Sequence, residues 1–378
     1  MLYSPLSSEG TPVSRTRIIA TIGPATSSAE MLISLAEAGM SIVRLNASHN
    51  ALAWHRDTID LIKRVLPTTP VLLDVPGRKI RTAHLAHEPV FAVGDLITLT
   101  TEEGHDGRQK VTVGSRRLHL DVSPGDTLLA DDGKLRFTVI DVTGPDIHCR
   151  AEVAGRLRSR KGINVPGVEL GGELVGERDR EMLAFARETG VDLVGISFVE
   201  SARHVALVRE QLPGGRPGIV AKIETPRAVR NLEEIIDSSD AVMIDRGDLS
   251  AETDLKQIGV LQKEILSRAT EFEKPVIVAT EMLETMIERP YPTKAEITDI
   301  TNAVLDGAAG VMLSGETAFG TYPVESVTLM RQVASAAEQY LGTRGAPLEG
   351  TTGTWRGDLT SVSAPAAGAA GDHEPLPG

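Results

Sequence analysis

The most constraining feature of the chain is a series of eight short apolar segments, most of which end at a charged or hydroxyl residue. Helical periodicity with capping residues fills many of the intervals between them. Strands that alternate with helices predict a parallel sheet, and eight repeats predict a closed (β/α)8 barrel. The apolar segments span residues 18–22, 42–45, 71–73, 192–198, 219–221, 241–244, 275–279 and 310–313.

The residues at or just after the C-terminal ends of these segments suggest where chemistry takes place. Barrel enzymes draw their catalytic residues from that rim. Glu224 and Asp248 follow adjacent strands, and Lys222 lies two residues before Glu224. This pattern predicts a hard divalent cation beside an anionic substrate. The polar residues expected on the rim are Arg44, Asp74, Lys222, Glu224, Asp248, Thr280 and Ser314.

The alternation of strands and helices is interrupted once, between Asp74 and Lys161. Alternating segments at 96–100, 110–113, 127–130 and 136–142 are separated there by Gly, Pro and Asp turns. They predict an inserted all-β domain, whose size favours a lid over a loop. We predict a barrel over 16–75 and 162–342, a lid over 76–161, an N-terminal extension over 1–15 and a disordered tail over 343–378.

Composition narrows the class of protein. The chain has 378 residues and a net charge of −13, which argues against nucleic acid or anionic membranes as partners. Cys149 is the single cysteine, so an intrachain disulfide is excluded. There is no apolar stretch of membrane-spanning length, and residues 1–14 lack a signal-peptide pattern. We therefore expect a cytoplasmic protein.

Motifs in consecutive order along the chain resemble those of the pyruvate kinase family, from Arg17 to about Glu325. The resemblance implies a barrel that binds phosphoenolpyruvate or pyruvate with a divalent ion, and a lid that closes over ADP or ATP. The family usually continues with a further α/β domain, for which we expect no room here, so any homo-oligomer is expected to use barrel surfaces. The matching segments are 20–26, 44–46, 48–49, 131–133, 161–167, 222–224, 246–249 and 312–318.

The resemblance implies roles for individual rim residues. Glu224 and Asp248 match the ligands of Mg2+ or Mn2+. Lys222 matches the lysine that neutralises the phosphoryl group and the enolate left after transfer. Arg44 matches a phosphate ligand, and Thr280 matches the threonine near the carbon that is protonated. The expected substrate contacts are Arg44, Lys222, Gly247, Asp248 and Thr280, with Ser314 supporting the proton route.

Further matches concern the nucleotide and the monovalent ion. Asn46, His49, Arg81 and Lys161 match residues that approach the nucleotide phosphates across the lid cleft. Potassium-dependent members of the family have Glu where this chain has Lys79. We expect the Lys79 ammonium to supply the charge of K+ near Asn46, Ser48 and Asp74, and we predict little or no K+ requirement.

Some positions near the expected site depart from the family pattern. Asp245 stands where a small residue is usual, and Glu281 replaces Gln beside Thr280. Extra negative charge in a partly dry anion site is costly. These acids could bind a second cation, pair with Arg227 or Arg246, or reshape the pocket. The other departures are Arg78, Thr225 and Ser250.

The departures leave three hypotheses. The first is phosphoryl transfer between phosphoenolpyruvate and ADP or a different acceptor, which retention of Arg44, Arg81, Lys161 and Lys222 supports. The second is a metal-dependent lyase, a decarboxylase or an aldolase, acting on a 2-oxo acid. The third is a non-catalytic binding protein, against which the retained metal ligands argue.

Overall fold

Eight parallel strands close into a barrel in the computed structural model, which describes residues 16–131 and 133–343. The ring closes where Arg17 on the first strand pairs with Gly310 on the last. The prediction of a (β/α)8 barrel is confirmed, whereas the predicted extension over 1–15 and tail beyond residue 343 lie outside the described residues. The barrel strands are Arg17–Thr21, Ile42–Asn46, Val71–Val75, Leu193–Ile196, Gly218–Ile223, Ala241–Asp245, Val276–Ala279 and Gly310–Leu313.

The barrel strands are apolar on both faces because both faces are buried. Ile19, Leu72, Met243 and Met312 belong to a cluster of fully buried residues within the strands. The intervening residues pack in a larger cluster that includes the surrounding helices. Each fully buried aliphatic side chain contributes about 1.5–3 kcal/mol. The barrel is therefore a packed core that holds the strand ends at fixed positions.

The helices begin and end largely at the capping residues in the sequence. Ser28 Oγ accepts a hydrogen bond from the Met31 amide, and Thr293 forms a capping box with Glu296. The helical segment that follows Thr225 breaks at Asn231, whose Nδ2 donates to the Glu200 carbonyl. The α-helices are Ala29–Ala38, Leu52–Val65, Leu118–Asp121, Glu177–Thr189, Ala202–Glu210, Pro226–Arg230, Leu232–Ser238, Arg246–Glu252, Ile258–Glu271, Lys294–Leu305, Gly315–Ala318 and Pro323–Thr343, with 3-10 turns Leu255–Gln257 and Glu284–Ile287.

The inserted segment forms a seven-stranded sheet with its own core and a separate two-stranded pair. Gly162–Asn164 pairs with Ile80–Arg81, so the predicted boundary between residues 161 and 162 falls inside this sheet. Cys149 is buried in the lid core, where burial raises the pKa of its thiol to about 12. The lid strands are Ile80–Arg81, Val90–Phe91, Leu96–Thr100, Val111–Thr112, Thr127–Ala130, Leu135–Thr143, Asp146–Ala151, Gly155–Arg156 and Gly162–Asn164.

The longest helix, Pro323–Thr343, packs against the barrel and carries charged residues. Across 16–131 and 133–343, we find no helix with the length and apolarity that crossing a bilayer requires.

Candidate active site

A cavity of about 320 Å3 opens at the C-terminal ends of the barrel strands, between the barrel and the first residues of the lid. Most of the residues predicted for substrate, nucleotide and ion binding line it. Glu224 lies beneath this lining, with no exposed surface, and its Oε2 accepts a hydrogen bond from the Phe198 amide. The predicted residues in the lining are Arg44, Asn46, Ser48, Asp74, Lys79, Arg81, Lys222, Gly247, Asp248, Thr280 and Ser314.

The Lys222 ammonium is the centre of the site, and only 4% of this residue is exposed. Its Nζ lies 2.8 Å from Glu224 Oε1, 3.1 Å from Asp245 Oδ2 and 3.3 Å from Asp74 Oδ2. It also donates to Ser197 Oγ at 3.0 Å. Three carboxylates from three different strand ends therefore surround one cation.

Burial and charge oppose each other in setting the protonation of this cluster. Burial lowers the pKa of Lys222, but Asp74, Glu224 and Asp245 outweigh it and raise that pKa well above its usual value. Burial also raises the pKa of Glu224, with help from Asp248 and Asp245, to about 8. Burial would raise the pKa of Asp245, but Lys222 and Lys79 bring it down to about 2. The lysine is thus a permanent cation, and Glu224 is the carboxylate most in need of a positive partner.

Arg44 is held in place by a fork of hydrogen bonds. Its Nε and Nη2 donate to Asp74 Oδ2 at 3.0 and 2.6 Å, and its Nη1 donates to Thr21 Oγ1 at 2.9 Å. Asp74 therefore accepts from Arg44 on one side and contacts Lys222 on the other. This geometry fixes two cations side by side at the floor of the cavity, which suits a multiply charged anion.

Three carboxylates could hold a divalent ion. Oxygens of Glu224, Asp245 and Asp248 all lie within 4.8 Å of one another, and all three residues are buried. Within the described chain Glu224 Oε1 accepts no well-directed hydrogen bond, although the Lys222 ammonium is 2.8 Å away. Carboxylate oxygens are the ligands that Mg2+ prefers. The residues present therefore fit a hard divalent cation.

Lys79 pairs with Asp248, a contact that was not predicted. Its Nζ donates to both oxygens of Asp248, at 2.6 and 2.8 Å, and lies 5.8 Å from the Phe198 ring centroid. Asn46, Ser48 and Asp74 line the same cavity as Lys79, and the predicted role of its ammonium toward the monovalent ion stays a prediction. The physical reason for the contact between Lys79 and Asp248 is that Asp248 is a desolvated carboxylate, and the cation in reach stabilises it.

The loop after the seventh barrel strand presents Thr280 to the cavity in an unusual conformation. Thr280 has a φ of 69° and Glu281 a φ of 53°, a region that costs energy for side chains other than Gly. Arg246 holds this loop by donating to the Thr280 carbonyl, while Thr280 Oγ1 accepts from the Gly247 amide at 2.9 Å. Arg246 therefore supports the loop and does not pair with Asp245.

The residues predicted for nucleotide binding are spread over both sides of the cleft. Asn46 Oδ1 accepts from the Ser48 amide at 3.0 Å, on the barrel side. On the lid side the Lys161 ammonium lies 2.6 Å from Asp131 Oδ1. His49 is exposed and lies within electrostatic range of Arg81 and Lys161. The cleft therefore brings the predicted phosphate-binding cations around one opening.

Several residues that line the cavity were not predicted from the sequence. Ser197 had no signal, because it lies inside an apolar run. Lys134 follows the 131–133 motif in the lid and faces Glu284 across the cleft, a contact that no local pattern indicates. Asp245 was noticed as a departure, but its contact with Lys222 was not predicted. Ser314 Oγ is buried and accepts or donates no hydrogen bond within the described chain.

Fold and site together define a class: a (β/α)8-barrel enzyme whose rim combines carboxylates suited to a divalent metal with cations suited to an anionic substrate. Comparison with known proteins narrows this class. A family model described as "Pyruvate kinase, barrel domain" matches residues 13–327. A pyruvate kinase of Mycobacterium intracellulare is 41% identical over 353 residues, which cover 92% of this chain and 75% of that protein.

Two further relatives agree with this match. A pyruvate kinase of Thermotoga maritima is 38% identical, over 86% of this chain and 72% of its own length. Another, of Thermococcus litoralis, is 40% identical, over 87% of this chain and 71% of its own length. The chain therefore belongs to the pyruvate kinase family, and it is a pyruvate kinase-like phosphotransferase. The comparisons give no support to the lyase hypothesis.

Proposed function

We propose that the rim site moves a phosphoryl group between phosphoenolpyruvate and ADP with the help of a divalent metal ion. Members of the family use these substrates and depend on Mg2+ or Mn2+. The observation that carries the proposal is the buried Lys222 ammonium, which lies among three carboxylates at the floor of an open cavity. Phosphoryl transfer relies on positioned positive charge more than on covalent chemistry of the protein.

Glu224 and Asp248 are the proposed ligands of the divalent ion. A bound ion would supply Lewis-acid stabilisation of charge on the phosphoryl and enolate oxygens. The two carboxylates leave adjacent strand ends, and both are at most 9% exposed. Burial keeps competing water away from this charge. Asp248 must loosen its pair with Lys79 when it binds an ion, because that ammonium contacts both of its oxygens.

Lys222 and Arg44 are the proposed charge-stabilising residues. The Lys222 cation is fixed by its buried neighbours, so it needs no reorganisation as negative charge develops on the enolate. The Arg44 fork is oriented by Asp74 before any substrate binds. Both residues are thus proposed to favour the transition state more than the bound substrate.

Thr280 is the proposed residue beside the carbon that gains or loses a proton. Its hydroxyl accepts from the Gly247 amide and donates to the Ala279 carbonyl at 2.6 Å, which orients the side chain. Ser314, which follows the neighbouring barrel strand and lines the same cavity, is proposed to support the same proton route. Gly247 is proposed to contact the substrate, because it lines the cavity between Asp245 and Thr280, where a side chain would contact both residues.

The lid is proposed to hold the nucleotide. Asn46 and Arg81 line the cavity, and Arg81 and Lys161 lie within electrostatic range of His49. We propose that these four residues contact the phosphates. We further propose that the lid spans about 76–164, because Gly162–Asn164 pairs with Ile80–Arg81. We also propose that the protein is cytoplasmic and that any homo-oligomer forms through barrel surfaces. The negative net charge and lone buried cysteine support the proposed location.

We propose that the enzyme has little or no K+ requirement, because Lys79 supplies a fixed ammonium in the same cavity as Asn46, Ser48 and Asp74. The test compares turnover in K+ with turnover in a tetraalkylammonium salt of equal ionic strength. We expect rates within about twofold, and we expect Lys79→Glu to make the rate depend on K+. A parent enzyme that is silent without K+ would contradict the proposal.

The proposed activity is tested by phosphorus NMR of the purified protein with phosphoenolpyruvate, Mg2+ and ADP. We expect the parent to form ATP and Lys222→Met to lower kcat by about 1,000-fold, a loss of about 4 kcal/mol of transition-state stabilisation. Lys263→Met, which removes an exposed lysine paired with Asp306, is the matched control and should retain the parent rate. An unchanged phosphoenolpyruvate signal with the parent would exclude ADP as the acceptor and direct the same assay to other acceptors.

A further inference from the structure

Asp245 is one of two acidic residues in the cavity, with Glu281, that depart from the family pattern. It ends the sixth barrel strand, directly before the Arg-Gly-Asp motif, and only 6% of it is exposed. One of its oxygens lies within 4.8 Å of a carboxylate oxygen of Glu224 and of Asp248. Asp245 is therefore a neighbour of both proposed metal ligands.

Lys222 does not need Asp245 as a counter-ion. Its ammonium already lies 2.8 Å from Glu224 Oε1 and donates to Ser197 Oγ at 3.0 Å. Asp74 Oδ2 is a second carboxylate at 3.3 Å. With Asp245, three buried carboxylates lie around one positive charge. Neutralising Lys222 is thus an insufficient reason for an acid at this position.

In the ion-pair network around Lys222, acidic side chains outnumber basic ones by four to three. A buried charge without compensation is strongly unfavourable, and a divalent cation in contact with the carboxylates relieves it. The groups are Asp74, Glu224, Asp245 and Asp248 with Arg44, Lys79 and Lys222.

The spacing of the three carboxylates also suits one ion. Oxygens bound to an octahedral Mg2+ at about 2.1 Å lie roughly 3 to 4 Å from each other. The three oxygens here are within 4.8 Å of one another, so side-chain shifts of about 1 Å would bring them to that spacing. The closest approach of Lys222 to Asp245 is at Oδ2, which leaves Oδ1 directed toward Gly247 and the cavity.

We propose that Asp245 is a third protein ligand of the divalent ion, together with Glu224 and Asp248. This inference rests on the metal site of the proposed function. Since more charged ligands raise the affinity of a carboxylate site, the protein binds the ion before substrate arrives. The same carboxylate lowers the net positive charge offered to the anionic substrate. Asp245 therefore strengthens the binding of the metal ion and weakens the binding of the anionic substrate.

The test measures Mn2+ binding to the full chain without substrate, by electron paramagnetic resonance of the free ion. We expect the parent to bind one Mn2+, and Asp245→Asn to weaken that binding by about tenfold or more. Glu281→Gln is the matched control: this acid lines the same cavity and also departs from the family, but it lies outside the cluster of three carboxylates. It should change the Mn2+ dissociation constant by less than about twofold. If the Asp245→Asn protein does not fold, Asp245→Ala provides a second variant.

The outcomes separate the inference from the proposed function. If Asp245→Asn and Asp245→Ala keep the affinity of the parent while Glu224→Gln loses it, the third-ligand role is overturned and the metal site stands. If Glu224→Gln also keeps the affinity, the metal site itself is misassigned. A parent that binds no Mn2+ at millimolar concentration without substrate overturns the inference directly, with no variant needed.

Discussion

The two sides of the cleft present the same kinds of charged residues in opposite environments. On the barrel side, the Arg44 and Lys222 side chains that contact Asp74 are 7% and 5% exposed. On the lid side, the Arg158 and Lys161 side chains that contact Asp131 are 53% and 33% exposed. The two aspartates themselves are both buried. The two sides therefore differ in the solvation of the cations.

Because of this difference, the cations on the barrel side keep their partners, whereas the cations on the lid side can exchange a partner for water. A buried cation has no water to replace a lost partner, so each member of a buried network depends on the others. An exposed cation is rehydrated when its partner leaves, and salt screens it. We infer that the barrel side is preorganised for chemistry, while the lid side attracts and releases a ligand.

The largest effect on the free energy of unfolding is expected when Asp74 on the barrel side and Asp131 on the lid side are each replaced by Asn. Asp74→Asn should lower the free energy of unfolding by about 3–5 kcal/mol, because it removes the carboxylate that accepts two hydrogen bonds from the buried Arg44 guanidinium. Asp131→Asn should cost about 1 kcal/mol or less, because its partners face solvent. Asn also tolerates the positive φ of 53° at position 131. Urea unfolding followed by circular dichroism compares the two variants.

Equal losses for the two substitutions would contradict this contrast between barrel and lid. The barrel and the lid have separate hydrophobic cores. If urea unfolding shows two transitions, the unfolding of each domain is therefore measured separately. A substitution at Asp141, which is an exposed acid on the lid sheet, serves as a neutral reference.

A smaller effect on the free energy of unfolding is expected when the pH is lowered, because a histidine is buried on the barrel side. Burial, with a contribution from Arg78, lowers the pKa of His204 to about 4. The unfolded chain has the ordinary value of 6.5, so the unfolded state takes up a proton first as the pH falls. His204 therefore contributes stability above pH 6.5 that is lost as the pH falls through 4, by roughly 3 kcal/mol. Unfolding of the parent and of His204→Phe is compared at pH 7.5 and pH 4.

The difference between the two proteins isolates this histidine from the carboxylates that also titrate. If the parent and His204→Phe lose the same stability between the two pH values, His204 is protonated in the native state and the prediction fails.

The smallest effect is expected on the lid side. We expect the KM for ADP to rise a few-fold between 20 and 500 mM salt, since exposed cations are screened, while kcat changes less. Lys161→Gln should raise the KM at low salt and weaken its salt dependence. Steady-state kinetics measures both, with Lys263→Gln as the control for an exposed lysine on a barrel helix. A kcat that falls as steeply as KM rises would show that the lid cations also take part in chemistry.

The barrel was predictable because its strands carry a local signal. A strand buried on both faces must be apolar throughout, and the polar residue that follows marks the rim. The break at Asn231 was not predictable, because it depends on a hydrogen bond to Glu200, a residue on another loop. Gly162–Asn164 looked like barrel sequence for a similar reason: its pairing with the lid strand Ile80–Arg81 joins residues about 80 positions apart.

The candidate site was predictable as a set of residues but not as a set of contacts. The ordered motifs identified Lys222, Glu224 and Asp248, and the cavity contains or covers all three. The contact of Lys79 with Asp248 was not predicted, because a sequence pattern specifies a charge at a position and not where a flexible ammonium ends. Its contact with Asp248 depends on how the lid hinge meets the sixth barrel strand.

The sequence by itself determined the barrel, the inserted lid, the family and the residues that carry charge, since all of these are written in local periodicity and ordered motifs. Only the tertiary structure decided which charges share a buried space. It brought Asp245 to Lys222 and Glu224, and it left the lid cations in solvent. The physical reason is that the strength of an ionic interaction depends on distance and desolvation, which arise when distant segments pack together.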